Sequence, residues 1–283
     1  MPIDLKVIGT ELTPLPYEYQ PRDVILYALG VGAGYEPDEL KFVYENGLEV
    51  LPTFGVIPPF PALMGLVGVE GVDINLVMLV HGEQYLEVRK WPIPVQGKLT
   101  SKPVISAVYD KGKGALIEME VETVDESGEV VFFNRFGSFV RGEGGFGGER
   151  GPDPGNEPPD REPDKVVEMK TLPIQAMIYR LSGDYNPLHI DPAIAGMAGF
   201  DRPILHGLCT FGHAGRAVLR EFCGNDPSKF KAIKVRFSRP VFPGDTIVTE
   251  MWQEAEDMVI LRSSTKERPG EYCLTNSAVW LNV

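Results

Sequence analysis

Residues 179–191, YRLSGDYNPLHID, carry a carboxylate, Asp184, and an imidazole, His189, on a turn made of Gly183, Asn186 and Pro187. Glycine, asparagine and proline are the residues that shape tight turns, and a turn closing an apolar helix can aim both side chains into one cleft. A carboxylate beside an imidazole can hold one water molecule and move its protons, which is general acid–base chemistry. Asn186 orients that turn and is a candidate contact to the water or the substrate. Downstream, Gly207 opens a second predicted helix, whose free backbone N–H groups and positive dipole end favour a developing oxyanion. Asp184, Asn186, His189 and Gly207 are therefore the candidate catalytic set. A plainer reading of the same string has Asp184 and Asn186 shaping the turn and His189 capping a core edge. The oxyanion donor nearby weighs against it.

The elements that position these residues can be read from periodicity. Thr171 and Pro173 open a helical pattern in which Ile174, Met177, Ile178 and Leu181 recur at three- and four-residue steps before Gly183. Asp191 and Pro192 read as the cap and first position of a short helix closing at Gly199, and residues 207–222 read as a longer helix. From Lys231 onward the chain alternates and carries Gly and Pro turn signals, which predicts several antiparallel strands. Helices followed by strands make an α+β domain, with a helix available to cover one sheet face.

Between Arg141 and Lys165 the chain reads RGEGGFGGERGPDPGNEPPDREPDK, with Phe146 as its one large apolar residue. Such a segment cannot bury itself, and it divides the protein into residues 1–140, a linker 141–165 and residues 166–283. The two parts repeat each other weakly. Arg89, Pro92 and Gly97 can be laid on Arg236, Pro240 and Gly244, and Gly128, Glu129 and Asn134 on Gly270, Glu271 and Asn276. Laying Tyr27 on Tyr179 puts Gly32 opposite Asp184 and Pro37 opposite His189. Neither can transfer a proton, so one half alone carries the candidate chemistry.

At 283 residues, with 43% hydrophobic and 24% charged residues, the chain has globular composition and room for two domains. A net charge of −13 argues against an extended nucleic-acid or anionic-membrane surface. Cys209, Cys223 and Cys273 fall at no metal-ligand spacing and make no disulfide framework, so they are expected as buried thiols in a reducing compartment. The N-terminal residues lack a secretory signal and the last residues are not Ser-Lys-Leu, so the expected location is cytoplasmic, with the peroxisome as the alternative for a eukaryotic source.

The string YRLSGDYNPLHID resembles the signature of the R-specific 2-enoyl-CoA hydratases, the hydratase 2 or MaoC-like group. ILHG ending at Gly207 and VRFSRPVFPGD around Phe237 strengthen the likeness, and RDVILYALGVGAG, VHGEQYLE and GGFGG look like the first half of the eukaryotic-type two-domain form. The resemblance implies a double hot-dog fold, two tandem α+β domains each with a curved antiparallel sheet around a long helix. It implies a lyase that hydrates trans-2-enoyl-CoA reversibly to the (3R)-3-hydroxyacyl-CoA. Asp184 and His189 would share the water and the Gly207 N–H would hold the thioester oxygen; which of the two is the formal base stays open. By the same resemblance His81, Gly82, Lys111, Tyr185, Pro187, Leu188 and Phe237 contact the acyl-CoA and the protein is a homodimer. The first half would accommodate the acyl chain, with the apolar run 54–69 and Val77, Met78 and Leu79 as lining. Two other readings keep the ligand: an acyl-CoA thioesterase, whose activated water attacks the thioester carbonyl, and a non-catalytic acyl-CoA-binding module.

Coenzyme A brings phosphates to an acidic protein, so a local basic patch is required. Lys229, Lys231, Lys234, Arg236 and Arg239 form one within a stretch that holds no acid, and Lys111 sits on the DKGKG turn. No separate cofactor is expected. GVGAGY at residues 30–35 ends a helical pattern instead of following a strand, which sets a nicotinamide site aside. His189, His206 and His213 have no acidic partner at familiar ligand spacing, so no metal is expected either, and His213 reads as a packed residue on the long helix.

Overall fold

Buried side chains alternate with partly exposed ones over the second half of Leu79–Val88 (β2), and buried with more exposed ones through most of Phe230–Phe237 (β7), the pattern of strands with one face on a core. These two strands pair antiparallel, Glu83 opposite Arg236 through Glu87 opposite Ala232, and so join two five-stranded halves. The structure, a computed structural model, describes residues 3–74 and 78–283. The first half adds β1 (Leu15–Tyr19), β3 (Gly97–Asp110), β4 (Gly114–Asp125) and β5 (Val130–Arg141); the second adds β6 (Lys165–Lys170), β8 (Thr246–Ala255), β9 (Met258–Thr265) and β10 (Leu274–Leu281). The sheet order is β1-β3-β4-β5-β2-β7-β10-β9-β8-β6, so each half repeats the other strand for strand about the central pair. Asn134 lies on β5 and Asn276 on β10, Gly97 starts β3 and Gly244 precedes β8, and the weak sequence repeat is thus a repeat of elements.

The halves differ in what covers the sheet. In the second, α4 (Gly207–Cys223) packs on β7, β8 and β10 through buried Leu208, Phe211, Ala214, Val218 and Leu219, and ends at Gly224 in the left-handed conformation. In the first, the longest helix among the described residues is α1 (Pro21–Gly30). Short 3-10 turns at Pro37–Phe42, Pro52–Val56 and Phe60–Leu66 stand where a long helix was expected. The reason is local: Pro52, Pro58, Pro59 and Pro61, with Gly55 and Gly65, deny the run its i→i−4 ladder. The apolar run 54–69 is consequently core more than lining. Phe54, Val56 and Ile57 join the main core, which spans both halves, while Ala62, Leu63 and Leu66 fill a second core against Ile105, Ile117 and Phe136. Met64, Val67 and Met78 are exposed, Leu79 is half-buried against the second core, and Val77 lies outside the described residues.

The expected helix before Gly183 is short, α2 (Gln175–Tyr179) continued by a 3-10 turn at Arg180–Ser182. Its inward face is Gln175, Ala176 and Tyr179, and the apolar series Ile174, Met177 and Leu181 is about half exposed. The face is chosen by α1, because Gln175 Nε2 donates to the Leu29 and Gly30 carbonyls, at 3.0 and 2.6 Å, and Tyr179 packs against Tyr27. A short helix α3 (Pro192–Met197) follows, capped by the Asp191 carboxylate.

Residues 142–164 are held in place despite having almost nothing to bury. The Asp110 carboxylate accepts the N–H groups of Gly145 and Gly147 of the GGFGG string, each at 2.8 Å. These donors, with that of Gly112, hold the Asp110 carboxyl below the usual carboxylate range. Lys234 Nζ donates to the Pro154 carbonyl, Asn276 Nδ2 to that of Gly155 and Trp252 Nε1 to that of Arg161. No helix among the described residues is long and apolar enough to cross a membrane. All three cysteines are buried free thiols.

Candidate active site

Gly183, at φ 129°, ends the α2 segment and turns the chain so that Asp184 follows at the mouth of the turn. The Asn186 N–H donates to Asp184 Oδ1 at 3.2 Å, and Asn186 Oδ1 accepts from the Leu188 N–H at 3.0 Å, capping the 3-10 turn Pro187–His189. The second oxygen, Asp184 Oδ2, faces His189 Nε2 across 3.9 Å. That gap is too wide for a hydrogen bond and suits one bridging water. His189 Nδ1 lies 2.9 Å from the Ile204 carbonyl oxygen, which assigns the ring proton to Nδ1 and leaves the Nε2 lone pair facing Asp184. Burial is the leading influence on both groups: it raises the Asp184 carboxyl and lowers the His189 imidazole, each against the pull of the other. Both shifts favour the uncharged forms, and with its proton on Nδ1 the imidazole offers Nε2 as an acceptor to a water shared with the Asp184 carboxyl.

His206 packs behind this pair. Its ring stacks on that of His189 with centroids 3.7 Å apart, and its Nε2 donates to the Asp184 carbonyl at 3.1 Å. The next residue, Gly207, is the first of α4, where the N–H has no intrahelical acceptor. A Cβ at Gly207 would stand 3.2 Å from the Phe237 ring, so the glycine lets that ring close over the helix N-terminus. Phe237 also packs on His81, centroids 4.9 Å apart. On its other side Phe237 lines a cavity of about 680 Å³ formed by β2 to β5, β7 and residues 150–154. The structure thus brings Asp184, His189 and Asn186 together on one turn, with Gly207 adjacent through His206. Gly82, Lys111 and Phe237 line the cavity, Gly82 at a bulge in β2, and His81 flanks it through Phe237. Pro187 and Leu188 form the turn itself, and Tyr185 is exposed under the Arg180 guanidinium. Asp184 and His189 do not line the cavity; Phe237, which does, also packs at Gly207.

The MFE-2 hydratase 2 N-terminal domain matches residues 17–142, and the MaoC like domain matches residues 155–271. The chain is 46% identical over 285 residues to the "Probable enoyl-CoA hydratase 2" of Dictyostelium discoideum, covering 98% of this chain and 96% of that one. The chain is an enzyme of the MaoC-like hydratase 2 family. It is 49% identical to the mouse "Peroxisomal multifunctional enzyme type 2" over 255 residues, 87% of this chain and 34% of the mouse protein. A solved MaoC-like dehydratase from Phytophthora capsici superposes with a TM-score of 0.87 at 40% identity, covering 99% of each chain.

Against this hydratase 2 frame, two expectations change. The predicted basic patch splits: of its five members Lys234 and Arg236 line the cavity, and Lys229, Lys231 and Arg239 do not. The cations that join them there are Lys111, Lys113, Arg135 and Arg150, set against Glu83, Glu118, Glu120 and Asp153. Arg135 is paired with Glu120, whereas no ion pair engages Lys111, Lys113, Arg150 or Arg236 among the described residues. Lys113 and Arg150 were missed because a lysine two residues past Lys111 and an arginine in a Gly-rich linker carry no local signal; the sheet and the Asp110 anchor bring them together. The second change concerns the histidines. An acid does join them, since Asp184, His189 and His206 offer ligand atoms within 4.8 Å of one another. The two rings are stacked, which lays their in-plane lone pairs in planes only 28° apart, and His189 Nδ1 and His206 Nε2 already face carbonyls. That is the geometry of a packed acid–base pair and does not fit a tetrahedral cage. His213 is buried on α4, with Nδ1 2.9 Å from the Cys209 carbonyl. GVGAGY follows α1 and leads into no helix of a strand–turn–helix unit.

Proposed function

We propose that the protein hydrates a trans-2-enoyl-CoA to the (3R)-3-hydroxyacyl-CoA, and runs the reverse dehydration, with Asp184 and His189 as the acid–base pair. The carrying observation is the 3.9 Å gap between Asp184 Oδ2 and His189 Nε2, bounded by a carboxyl oxygen and an imidazole nitrogen whose lone pair faces it. A water in that gap donates toward both acceptors and presents its oxygen lone pair outward. As that oxygen bonds to C3, the C2–C3 π electrons move toward the thioester, and the developing enolate oxygen takes the Gly207 N–H. The water's proton stays on the pair. Return of one proton from the pair to C2 regenerates the carbonyl, so that H and OH have been added across the double bond and the enzyme is unchanged.

The cavity beyond Phe237 takes the coenzyme A portion. Lys111, Lys113, Arg150 and Arg236, free of ion pairs, supply the charge its phosphates require within an acidic chain. Replacing Lys113 and Arg150 together by Ala is expected to raise KM about tenfold or more with kcat little changed, since each charge-assisted contact contributes on the order of 1.5–3 kcal/mol before solvent screening.

The test of the reaction is loss of enoyl-thioester absorbance with trans-2-decenoyl-CoA, followed by chiral analysis of the product. An R product, with kcat lowered ~10²-fold or more in Asp184→Asn and in His189→Ala, supports the reading. Release of free thiol with the double bond retained would make the protein a thioesterase, and binding without turnover would make it a carrier of acyl-CoA.

A further inference from the structure

His206 is buried, and the chemistry above gives it no proton to move. Its place is nevertheless singular. The rings of Tyr27, Tyr179, His206 and His189 form a column that runs from the first half into the acid–base pair, with centroid spacings of 6.1, 4.9 and 3.7 Å. Tyr179, the last residue of α2, is buried in the core against Tyr27 of α1, which holds the near end of the column. At the other end His206 makes three attachments at once. Its ring face supports His189, its Nε2–H holds the Asp184 carbonyl at 3.1 Å, and its backbone is the residue before Gly207 at the head of α4.

We infer that His206 is a positioning residue that fixes the Asp184–His189 gap at the width of one water and keeps that gap in register with the Gly207 N–H. The inference rests on the hydratase reading. A hydrogen bond to the Asp184 carbonyl restrains the backbone that carries the carboxylate, and a stacked ring restrains the imidazole from the side. A cationic His206 would keep its hydrogen bond to the Asp184 carbonyl but spoil the stack, because an imidazolium would face the imidazolium that His189 can become during turnover. The groups around it keep it neutral. Burial is the largest cause; His189 and Arg180 add to it, the Asp184 carbonyl opposes it, and the imidazole is pushed down to about 2. Tyr179, its other neighbour, is held protonated by its own burial. His206 Nδ1 is left buried and without a partner among the described residues, which costs stability in a core and is tolerated where a ring is needed for another purpose.

Two variants separate the two restraints. His206→Phe keeps a ring against His189 and removes the donor, whereas His206→Gln keeps an N–H donor and removes the ring. Both are expected to lower kcat on trans-2-decenoyl-CoA with KM changed less than about threefold, by ~10²-fold for the Phe variant, the loss expected when reacting groups are misplaced by an ångström. The Gln variant should regain a substantial part of that loss. Histidine 15N shifts, followed against pH in wild type and variants, give a reading that does not depend on activity. In wild type His206 should be neutral, protonated on Nε2, from pH 8 down to pH 4, and in His206→Gln the His189 titration should move up toward the ordinary 6.5 as the covering ring is lost. Unchanged kcat in both variants, a kcat loss in His206→Gln with an unmoved His189 titration, or a wild-type His206 that takes up a proton near pH 6.5 would each overturn the inference. If both variants fail to fold, the wild-type titration still decides. If wild type turns over no enoyl-CoA, the hydratase reading fails, while the His206 and His189 titrations still report whether the two rings are coupled.

Discussion

The turn that follows α1 and the turn that follows α2 occupy equivalent places in the two halves, and their polar groups serve different ends. At the second, Asp184 and His189 face each other across a gap that no protein atom bridges. At the first, Gly32 and Pro37 stand in those positions, and the space is filled. Gly32 has φ 74°, and a Cβ there would meet His213 Nε2 at 2.9 Å and Arg216 Nη1 at 3.3 Å. Arg216 in turn donates to the Val31 carbonyl at 2.7 Å and forms a buried ion pair with Glu39. The buried charges at the first turn, Glu39 and Arg216, are matched to each other, as buried charges must be unless something else compensates them. At the second no Lys or Arg forms an ion pair with the Asp184 carboxylate among the described residues, and burial raises its pKa against the pull of His189 and Arg180. One scaffold thus uses the same turn as a structural joint in one half and, on the hydratase reading, as a poised site in the other.

The most severe test of this contrast asks whether the joint can be made into a site. Adding Gly32→Asp and Pro37→His to an Asp184→Asn protein should restore no turnover, leaving kcat the full 10²–10⁴-fold down that proton transfer is worth, by the enoyl absorbance assay. Any recovery would mean the first turn is open enough to work. A second effect, of about 3–5 kcal/mol, is expected in urea unfolding of Glu39→Gln or of Arg216→Met, because each strands the other buried partner. The double variant should recover most of that loss.

Acid should act on the second half more than the first. Among the four histidines, burial lowers His81 to about 4, His213 to about 3 and His206 to about 2, and lowers His189 as well. Below the ordinary value of 6.5 the unfolded chain takes up protons that the folded chain refuses, so stability is full above pH 6.5 and declines as the pH falls. Tm followed from pH 7.5 to pH 4 should drop progressively, and a flat profile would contradict the buried, neutral histidines. The smallest effect has the opposite sign. Because the Asp184 pKa is raised, its charged form is less favourable folded than unfolded at neutral pH. Asp184→Asn should therefore be inactive and more stable, by about 1 kcal/mol or less, with the difference vanishing on acidification.

Much of this was legible from residue types alone. The Gly183–Asn186–Pro187 turn, the Asp191 cap and the Gly207 helix start are local devices acting over two to four residues, and they form as expected. The strands from residue 230 onward follow their alternation. Periodicity misled where a neighbour chose the face. Ile174, Met177 and Leu181 have helical spacing, yet α1 draws in Gln175 and Tyr179. It also could not show that Pro52, Pro58, Pro59 and Pro61 would leave the first half without its long helix, although the prolines themselves are plain.

The sequence by itself determined which turn holds Asp184 and His189, that Gly32 and Pro37 at its counterpart in the first half carry no transferable proton, and the α+β order of the elements. Only the tertiary structure decided what surrounds them. His206 reaches Asp184 across 22 positions, Gly145 reaches Asp110 across 35, and Arg216 reaches Glu39 across 177. Local hydrogen bonds and side-chain periodicity leave a trace within a few residues. Contacts at these separations exist only after the sheet has closed in the order β1-β3-β4-β5-β2-β7-β10-β9-β8-β6, which no short stretch of the chain encodes.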